Sequence, residues 1–350
     1  MDRELRYEDL KIRFAEAKDT KELFRWWNDG KVMAHAGFPA GLGISEEEIR
    51  KLIGKDDEHS RHLILEYREE AIGEMNYRLP EDHAEIGIKI CEAEKQEKGL
   101  GRRYLSLLIE ELFKEREEIR LDTCAENARA RHVYELLGFR LKDLCRNGYT
   151  DPSGKSHDVA YYTLKKEEFH SFLEDYYLAR PEESDAESIT DYRNEVIKTG
   201  GTFDGCSSLQ GKDDPLKWIG ENRLMEMGDM LPPGYVRGIQ YSLFDRKKNE
   251  IAGMLNIRPD MTGSPFLLEY GGNIGYSIKP SRRKEGLGRL QLQKALELCR
   301  REYHLDRVLI TCLESNEASR RTILSCGGIY ERTTHIGFLE EGIERYTVFL

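Results

Sequence analysis

The sequence contains no apolar run of about 18 residues or more, and so offers no segment able to span a bilayer as a helix. Met1 to Asp9 is charged and has no apolar stretch, which speaks against a secretory leader. Cysteine is present but disorganised. The seven residues (91, 124, 145, 206, 299, 312 and 326) are odd in number, scattered and form no Cys-x-x-Cys. This argues against a disulfide framework or a metal centre, and for reduced thiols in a cytoplasm. Positive charge is in deficit: the net charge of −11 disfavours nucleic acid as a partner and modestly favours a cationic one. No membrane partner is expected, and a homo-oligomer is left open.

What is present fits a soluble globular protein. The chain is 350 residues long and 39% hydrophobic, enough for about two domains of roughly 150 residues each. The most informative stretch is Gln96-Glu97-Lys98-Gly99-Leu100-Gly101-Arg102, which opens into an amphipathic helix with Leu105, Leu108, Ile109 and Leu112 on one face. Glycines let backbone N–H groups turn towards a ligand, and the helix N-terminus adds free donors and partial positive charge. Together they make an anion cradle. The stretch recurs 187 residues later as Arg283-Lys284-Glu285-Gly286-Leu287-Gly288-Arg289. A dinucleotide fingerprint would need a third glycine where Tyr104 and Gln291 stand, and the Gly-Lys-Ser/Thr of a P-loop is absent. Two ordinary helix-opening turns remain the plain alternative.

Other landmarks repeat in the same order. Ile72-Gly73-x-x-Asn76-x-Arg78 returns 180 residues on as Ala252-Gly253-x-x-Asn256-x-Arg258. Ile86-Gly87-x-x-Ile90 returns 188 on, and Asn127-x-x-Ala130 returns 189 on as Asn316-x-x-Ser319. The chain therefore reads as a tandem duplication, with domains over 1–168 and 169–350. Each half gives a strand, helices, antiparallel strands, the glycine loop and its helix, a strand, a helix and a closing hairpin. In the first half the expected pieces include a strand at 11–15, a helix capped by Asp19 and a helix opened by the capping box Ser45-x-x-Glu48. In the second half, 200–234 shows little periodicity.

This order, with Gln/Arg-x-x-Gly-x-Gly between a strand and a helix, resembles the GNAT acyltransferase superfamily across nearly the whole chain. The resemblance implies an α+β fold in each half: a mixed, mainly antiparallel twisted sheet flanked by helices. It implies acetyl-CoA as cofactor, its pyrophosphate in the cradle (Gln96 to Arg102; Arg283, Lys284 and Gly286 to Arg289). The pantetheine arm would lie along the preceding strand, at Ile88 and Ile90. Asn127, with Asn316 and Ser319 in the second half, would order the strand end near the cofactor. Asn127 to Phe139 is similar to the family's second signature, in which a tyrosine, here Tyr134, faces the cofactor sulfur.

Such chemistry needs an acid and a base. A phenol of pKa about 10 can protonate a leaving thiolate, and an alkylamine of pKa about 10.4 must lose a proton before it attacks. Glu85, eleven residues before Gln96, resembles the glutamate base of the family's histone acetyltransferases; His83 is a nearby substitute. Tyr134 as a core aromatic and Glu85 as a solvated strand residue are the bland alternatives. In the second half Ile323 stands for Tyr134 and, counted from the motif, Gly272 for Glu85. Glu269, Tyr270 and Tyr330 are its candidate substitutes. Trp26-Trp27-Asn28-Asp29 loosely resembles aminoglycoside 6′-N-acetyltransferases and ribosomal-protein N-acetyltransferases, and the run Glu46-Glu47-Glu48 would suit a cationic acceptor. The expected function is direct acetyl transfer to a primary amine of a small cationic molecule, mainly in the first half. A non-catalytic CoA-binding sensor or scaffold, and acetylation of a protein amine, are the rivals.

Overall fold

The structure, a computed structural model, describes residues 3–228 and 231–350, with His35 described by its backbone alone. Met1 and Asp2 of the charged amino-terminal stretch lie outside the described residues. The chain divides into two compact units, Met1–Leu173 and Glu174–Leu350.

Unit 1 begins with a hairpin, β1 (Glu4–Tyr7) and β2 (Leu10–Phe14), followed by α1 (Thr20–Trp27), α2 (Gly30–Met33) and α3 (Glu46–Ile53). Three antiparallel strands come next: β3 (Ser60–Tyr67), β4 (Glu70–Arg78) and β5 (Ala84–Ile90). Then α4 (Leu100–Leu112), β6 (Glu118–Cys124), α5 (Ala128–Leu136), β7 (Arg140–Thr150) and β8 (Ser156–Lys165) complete it. The eight strands lie in one sheet of order β1-β2-β3-β4-β5-β6-β8-β7. Only β5 and β6 run parallel, and they pair only at Ala84↔Ile119 and Glu85↔Arg120. Beyond Glu85 the two strands part.

Local chemistry explains the frame. The β3–β4 turn is made by Arg68 and Glu69, both with positive φ. Ser45 and Glu48 form the expected capping box. Asp19, expected to cap α1, instead takes a bidentate pair from Arg13 (both 2.7 Å) and a bond from Glu16 N–H. On α1 the buried residues are Leu23, Trp26 and Trp27, while Phe24 is exposed. They pack with Ile49, Ile53, Ile64 and Cys91 on one face of the sheet. On α4 the fully covered residues Tyr104, Leu105, Leu108 and Ile109 follow helical spacing. Residues 169–173 stay with unit 1: His170 N–H donates to Leu137 O and Phe172 N–H to Ser106 Oγ.

Unit 2 runs β9 (Tyr176–Ala179), α6 (Ala186–Lys198), α7 (Pro215–Met227), β10 (Ile239–Asp245), β11 (Glu250–Ile257), β12 (Ile274–Ile278), α8 (Leu287–Arg301), β13 (Arg307–Leu313), α9 (Glu317–Ser325), β14 (Ile329–Thr334) and β15 (Ile343–Phe349). Here the parting is complete. One sheet is β12-β11-β10-β9 and the other β13-β15-β14. A shared core, including Tyr241, Leu255, Leu292, Ala295, Ile310, Ile323 and Val348, spans both. In each unit every strand pairing but β5–β6 is antiparallel, so both repeats are mixed α/β with mainly antiparallel sheets. The helix α7 lies in the stretch without periodicity. Its signal was Asp214-Pro215: Asp214 accepts from the N–H groups of Leu216 and Lys217, and proline takes the first helical position. No described helix is long and apolar enough to cross a membrane.

Candidate functional site

The glycine stretch forms the same object in both units. Glu97 (φ 61°) and Gly99 (φ 73°) in unit 1, and Lys284 (φ 69°) and Gly286 (φ 81°) in unit 2, are left-handed. This winds successive N–H groups inward just before α4 and α8. Neither helix has a side chain capping its first turn, so those donors stay free. A Cβ built on Gly101 or Gly286 would meet nothing within 4 Å, which leaves room for a ligand over each cradle. The first motif residue tethers the loop: Gln96 Nε2 donates to Ile90 O at 2.9 Å, and Arg283 Nε to Ile278 O at 3.4 Å. Lys98, Arg102, Arg283, Lys284 and Arg289 are exposed around the two mouths. Free N–H groups, open space and cations fit an anionic diphosphate.

In unit 1 the cradle follows β5 and is met by α5, which follows β6: Arg129 donates to Gln96 Oε1 and Glu97 Oε1, both at 3.3 Å. Cys91 N–H bonds Ile72 O, so the alternating antiparallel ladder turns the Ile88 and Ile90 N–H groups away from β4. That pairing also occupies the Cys91 N–H. Cys91 is buried among apolar residues, and burial pushes its thiol far up, which suits a packing role. Asn127 caps α5 by accepting from Ala130 N–H at 3.2 Å, and α5 carries Tyr134. That ring is buried at 6% exposure between Phe139 and Tyr162, both at 5.8 Å between centroids. Burial, then the charge of Asp122 and the neighbouring Tyr162, raise its pKa and keep the phenol protonated.

Glu85 stands at the point of parting, with its side chain about half exposed. His83 is buried rather than exposed. Its Nδ1 faces Asp82 at 2.5 Å, its Nε2 faces Glu85 at 3.4 Å, and Arg120 Nη1 lies 3.4 Å from the same Nε2. Asp122 was not singled out from sequence. It lies on β6 just past the parting, on the same face as Arg120 and hence as Glu85. The residue is open to solvent at its edge, yet the desolvating floor of the cleft and then Glu85 raise its pKa. A carboxylate two positions along a strand from one that pairs with Glu85 was the signal available.

Unit 2 departs from this pattern. The sheet register pairs Arg258 with Asn273, as it pairs Arg78 with Glu85. The loop between strand and cradle is one residue shorter, so Asn273 and not Gly272 stands for Glu85. Asn273 is structural: its Oδ1 accepts from Leu309 N–H and its Nδ2 donates to Arg258 O, both at 2.8 Å. Ile323 is wholly buried in the core. Glu269 is held as a carboxylate, its pKa lowered by Arg332 and Thr334, so it is no proton donor. Tyr270 and Tyr330 hydroxyls contact His335 O and Thr333 Oγ1. Tyr276, at the register of Ile88, reaches α9, where its hydroxyl lies 3.0 Å from Ser319 Oγ. Its pKa is pushed up to about 12, chiefly by burial. Asn316 caps α9 through Ser319 N–H as Asn127 caps α5.

On the face of the unit 1 sheet that carries Glu85, Lys89 bonds Glu74 at 2.6 Å and approaches Met33 Sδ at 3.5 Å. The turn at Ala34–Ala36 packs against β6, so α2 and this turn cross the mouth of the split. The loop beyond is fixed by Asn28, which exchanges bonds with Ile44, and by Tyr149 donating to Gly37 O. Gly37 has φ 90°, and a Cβ there would strike the Tyr149 ring at 2.2 Å. The Glu46–Glu48 run does not line this mouth as an acidic wall. It pairs with Arg50 and Lys51 and caps its own helix as a solvated face.

The sequence matches the family described as Acetyltransferase (GNAT) domain over residues 9–140 and 167–329. A comparison with curated proteins finds no match. Similar solved structures include spermidine N-acetyltransferase from Vibrio cholerae in complex with CoA and spermine, at 22% identity and TM-score 0.42, covering 46% of this chain and 97% of that one. The acetyltransferase that modifies the N-terminal serine of ribosomal protein L7/L12 from Salmonella typhimurium matches at 17% and 0.41, over 45% and 96%. A GNAT-family acetyltransferase from Bacillus anthracis matches at 24% and 0.41, over 47% and 99%. With a split sheet, a glycine cradle and an asparagine-capped helix in each of two repeats, and with the family matched over both, this chain belongs to the GNAT acetyltransferase family.

Proposed function

We propose that the protein passes acetyl from acetyl-CoA directly to a primary amine of a small cationic molecule, with the chemistry in a first domain ending near residue 170. The carrying observation is the split of unit 1. At one mouth an uncapped helix N-terminus has open space over Gly101. At its floor a buried tyrosine lies near Asp122, which in turn lies near Glu85.

Acetyl-CoA, the family's acyl donor, supplies an electrophilic thioester carbonyl and a thiolate leaving group. In this reading the N–H groups of Glu97 to Arg102 hold the diphosphate, with Lys98 and Arg102 adding charge. The outward N–H groups of Ile88 and Ile90 bind the arm and the developing negative charge on the carbonyl oxygen. Glu85 and Asp122 are placed to take the proton of the incoming ammonium, and desolvation and then the charge of Glu85 raise the pKa of Asp122. Tyr134 returns a proton to the sulfur. The same carboxylates favour a cationic acceptor. In unit 2, Arg283, Lys284 and Gly286 to Arg289, with Asn316 and Ser319, form a second CoA site that lacks the Tyr134 acid.

The test is product analysis by mass spectrometry over polyamines, aminoglycosides and peptide N-termini, with thiol release followed in parallel. Acetylated amine from wild type, and its loss in Tyr134→Phe with CoA binding retained, is the expected result. Saturable CoA binding with no acetylated product from any amine would replace this reading with a CoA-binding sensor.

A further inference from the structure

Three donor groups of the kinds that bind transition metals converge at the end of β6. Cys124 Sγ, a Glu126 carboxylate oxygen and a His157 ring nitrogen all lie within 4.8 Å of one another. Two are neighbours in sequence and the third is distant: Cys124 closes β6, Glu126 sits two residues on in the turn before α5, and His157 comes from β8. The register explains the meeting. Cys124 pairs with Val159, and His157, two residues along, shares that face as the diagonal neighbour. Local spacing therefore gave no Cys-x-x-Cys or His-x-x-His signal for this group.

A second observation concerns the imidazole itself. His157 Nε2 lies 3.0 Å from Asp151 Oδ2. Asp151 is buried at 5% exposure, and its other oxygen accepts from the N–H groups of Ser153 and Lys155 and from Ser153 Oγ. A carboxylate fixed in this way takes the Nε2 proton and leaves the imidazole lone pair on Nδ1. Orientation of a histidine by a buried carboxylate on its far nitrogen is the usual second shell of a metal-binding histidine. Tyr149 stacks beside the same ring at 6.4 Å.

We propose that Cys124, Glu126 and His157 bind one divalent transition-metal ion of the Zn2+ type, with Asp151 orienting the histidine. A thiolate with an imidazole selects such ions over Mg2+ or Ca2+. Three protein ligands leave a fourth tetrahedral position for water. With metal–nitrogen and metal–oxygen distances of about 2.0 Å and metal–sulfur of about 2.3 Å, donors in a tetrahedral site lie roughly 3.5 Å apart. Separations of up to 4.8 Å need to close by about 1 Å, through rotation of the exposed Glu126 side chain and of the half-buried Cys124 side chain. On binding, the Cys124 thiol releases its proton to solvent as the sulfur–metal bond forms. The bound ion ties the end of β6 to β8 immediately before Asn127, the cap of α5.

The experiment uses the full chain, stripped with a chelator and titrated with Co2+ alone. The expected result is one equivalent bound, a thiolate-to-cobalt charge-transfer band in the near ultraviolet and strong visible bands of tetrahedral cobalt, all displaced by Zn2+. Cys124→Ser should abolish the charge-transfer band, whereas Cys145→Ser, at an exposed cysteine outside the group, should keep it. Asp151→Asn should weaken binding by about 10–100-fold while leaving the band. Circular dichroism checks that each variant folds, and His157→Gln serves as the second ligand test if Cys124→Ser does not. A wild-type chain without a thiolate band, or a band that survives both ligand substitutions, overturns the proposal.

Discussion

Gly101→Leu separates the ligand cradle from the fold more cleanly than any other substitution. Gly101 is the second residue of α4, its φ is not in the left-handed region, and a Cβ there meets no atom within 4 Å. Replacing a helical glycine removes an entropic cost of about 0.5–1 kcal/mol, so the unliganded protein should become slightly more stable. For a unit of this size that is a rise in Tm of roughly 1–4 °C. The new side chain occupies the space over the free N–H groups. Losing two charge-assisted hydrogen bonds of about 1.5 kcal/mol each weakens binding by about 3 kcal/mol, roughly a hundredfold. Calorimetric titration with CoA should show two sites in wild type and a single strong site, that of unit 2, in the variant. The comparison with Gly286→Leu sharpens the test. That glycine has φ 81°, and a side chain costs about 1–2 kcal/mol there, so affinity and stability fall together. A Gly101→Leu protein that is more stable yet binds CoA at both sites with unchanged affinity would refute the cradle.

Tyr134→Phe should lower kcat by roughly 10²–10⁴ with little change in CoA affinity; an unchanged kcat with chemistry limiting removes the tyrosine as acid. Arg282 is 4% exposed and bonds Asp245 (2.9 Å), Glu285, Glu250 and Tyr176 just before the second cradle. Arg282→Met leaves the buried Asp245 without that partner and should destabilise unit 2 by about 3–5 kcal/mol in urea, and a loss near the roughly 1 kcal/mol of a surface pair contradicts this. Burial works against the Asp19 carboxylate, but the hydrogen bonds from Arg13 and Glu16 prevail and its folded pKa is lowered. Its stabilisation is thus full above the unfolded value of about 3.9 and is lost as pH falls through the lower folded value. The stability gap between wild type and Asp19→Asn should be constant at neutral pH and shrink only in acid below about pH 4; a gap that closes between pH 5 and 7 contradicts the sign.

Much of the fold was legible because its signals were local. Strand alternation, the Ser45–Glu48 box and the two glycine cradles are encoded within a few neighbouring residues, and the structure has them. What was not legible depended on register. The extra β1 hairpin strand is four residues long, and its Glu-Leu-Arg-Tyr alternation is too short to stand out within a charged stretch. Asp19 looked like a cap until β2 placed Arg13 against it. Asp122 and the group of Cys124, Glu126 and His157 become neighbours only once β6 is paired with β8 and parted from β5. Counting back from the cradle misplaced the counterpart of Glu85 by one residue, because loop length is free to change where a ladder is not.

That difference bears on how the two repeats have diverged. A cradle made of N–H groups survives any change of sequence that keeps its left-handed positions and uncapped helix start, and both units keep them. An acid or a base is one side chain at one register position. At the position of Glu85, unit 2 has an amide whose two ends are bonded to Leu309 and Arg258 across the parting of its sheets. At the position of Tyr134 it has an aliphatic chain in the core. Restoring either residue alone would therefore damage packing without supplying its partner: a carboxylate at 273 forfeits the amide donor that Arg258 O accepts, and a phenol at 323 overfills a core with no exposed surface. Ile323→Tyr should destabilise unit 2 by about 1–3 kcal/mol, as overpacking does, and should not raise acetyl transfer measured in a Tyr134→Phe background. A gain of turnover there would show that the second split still holds a competent base.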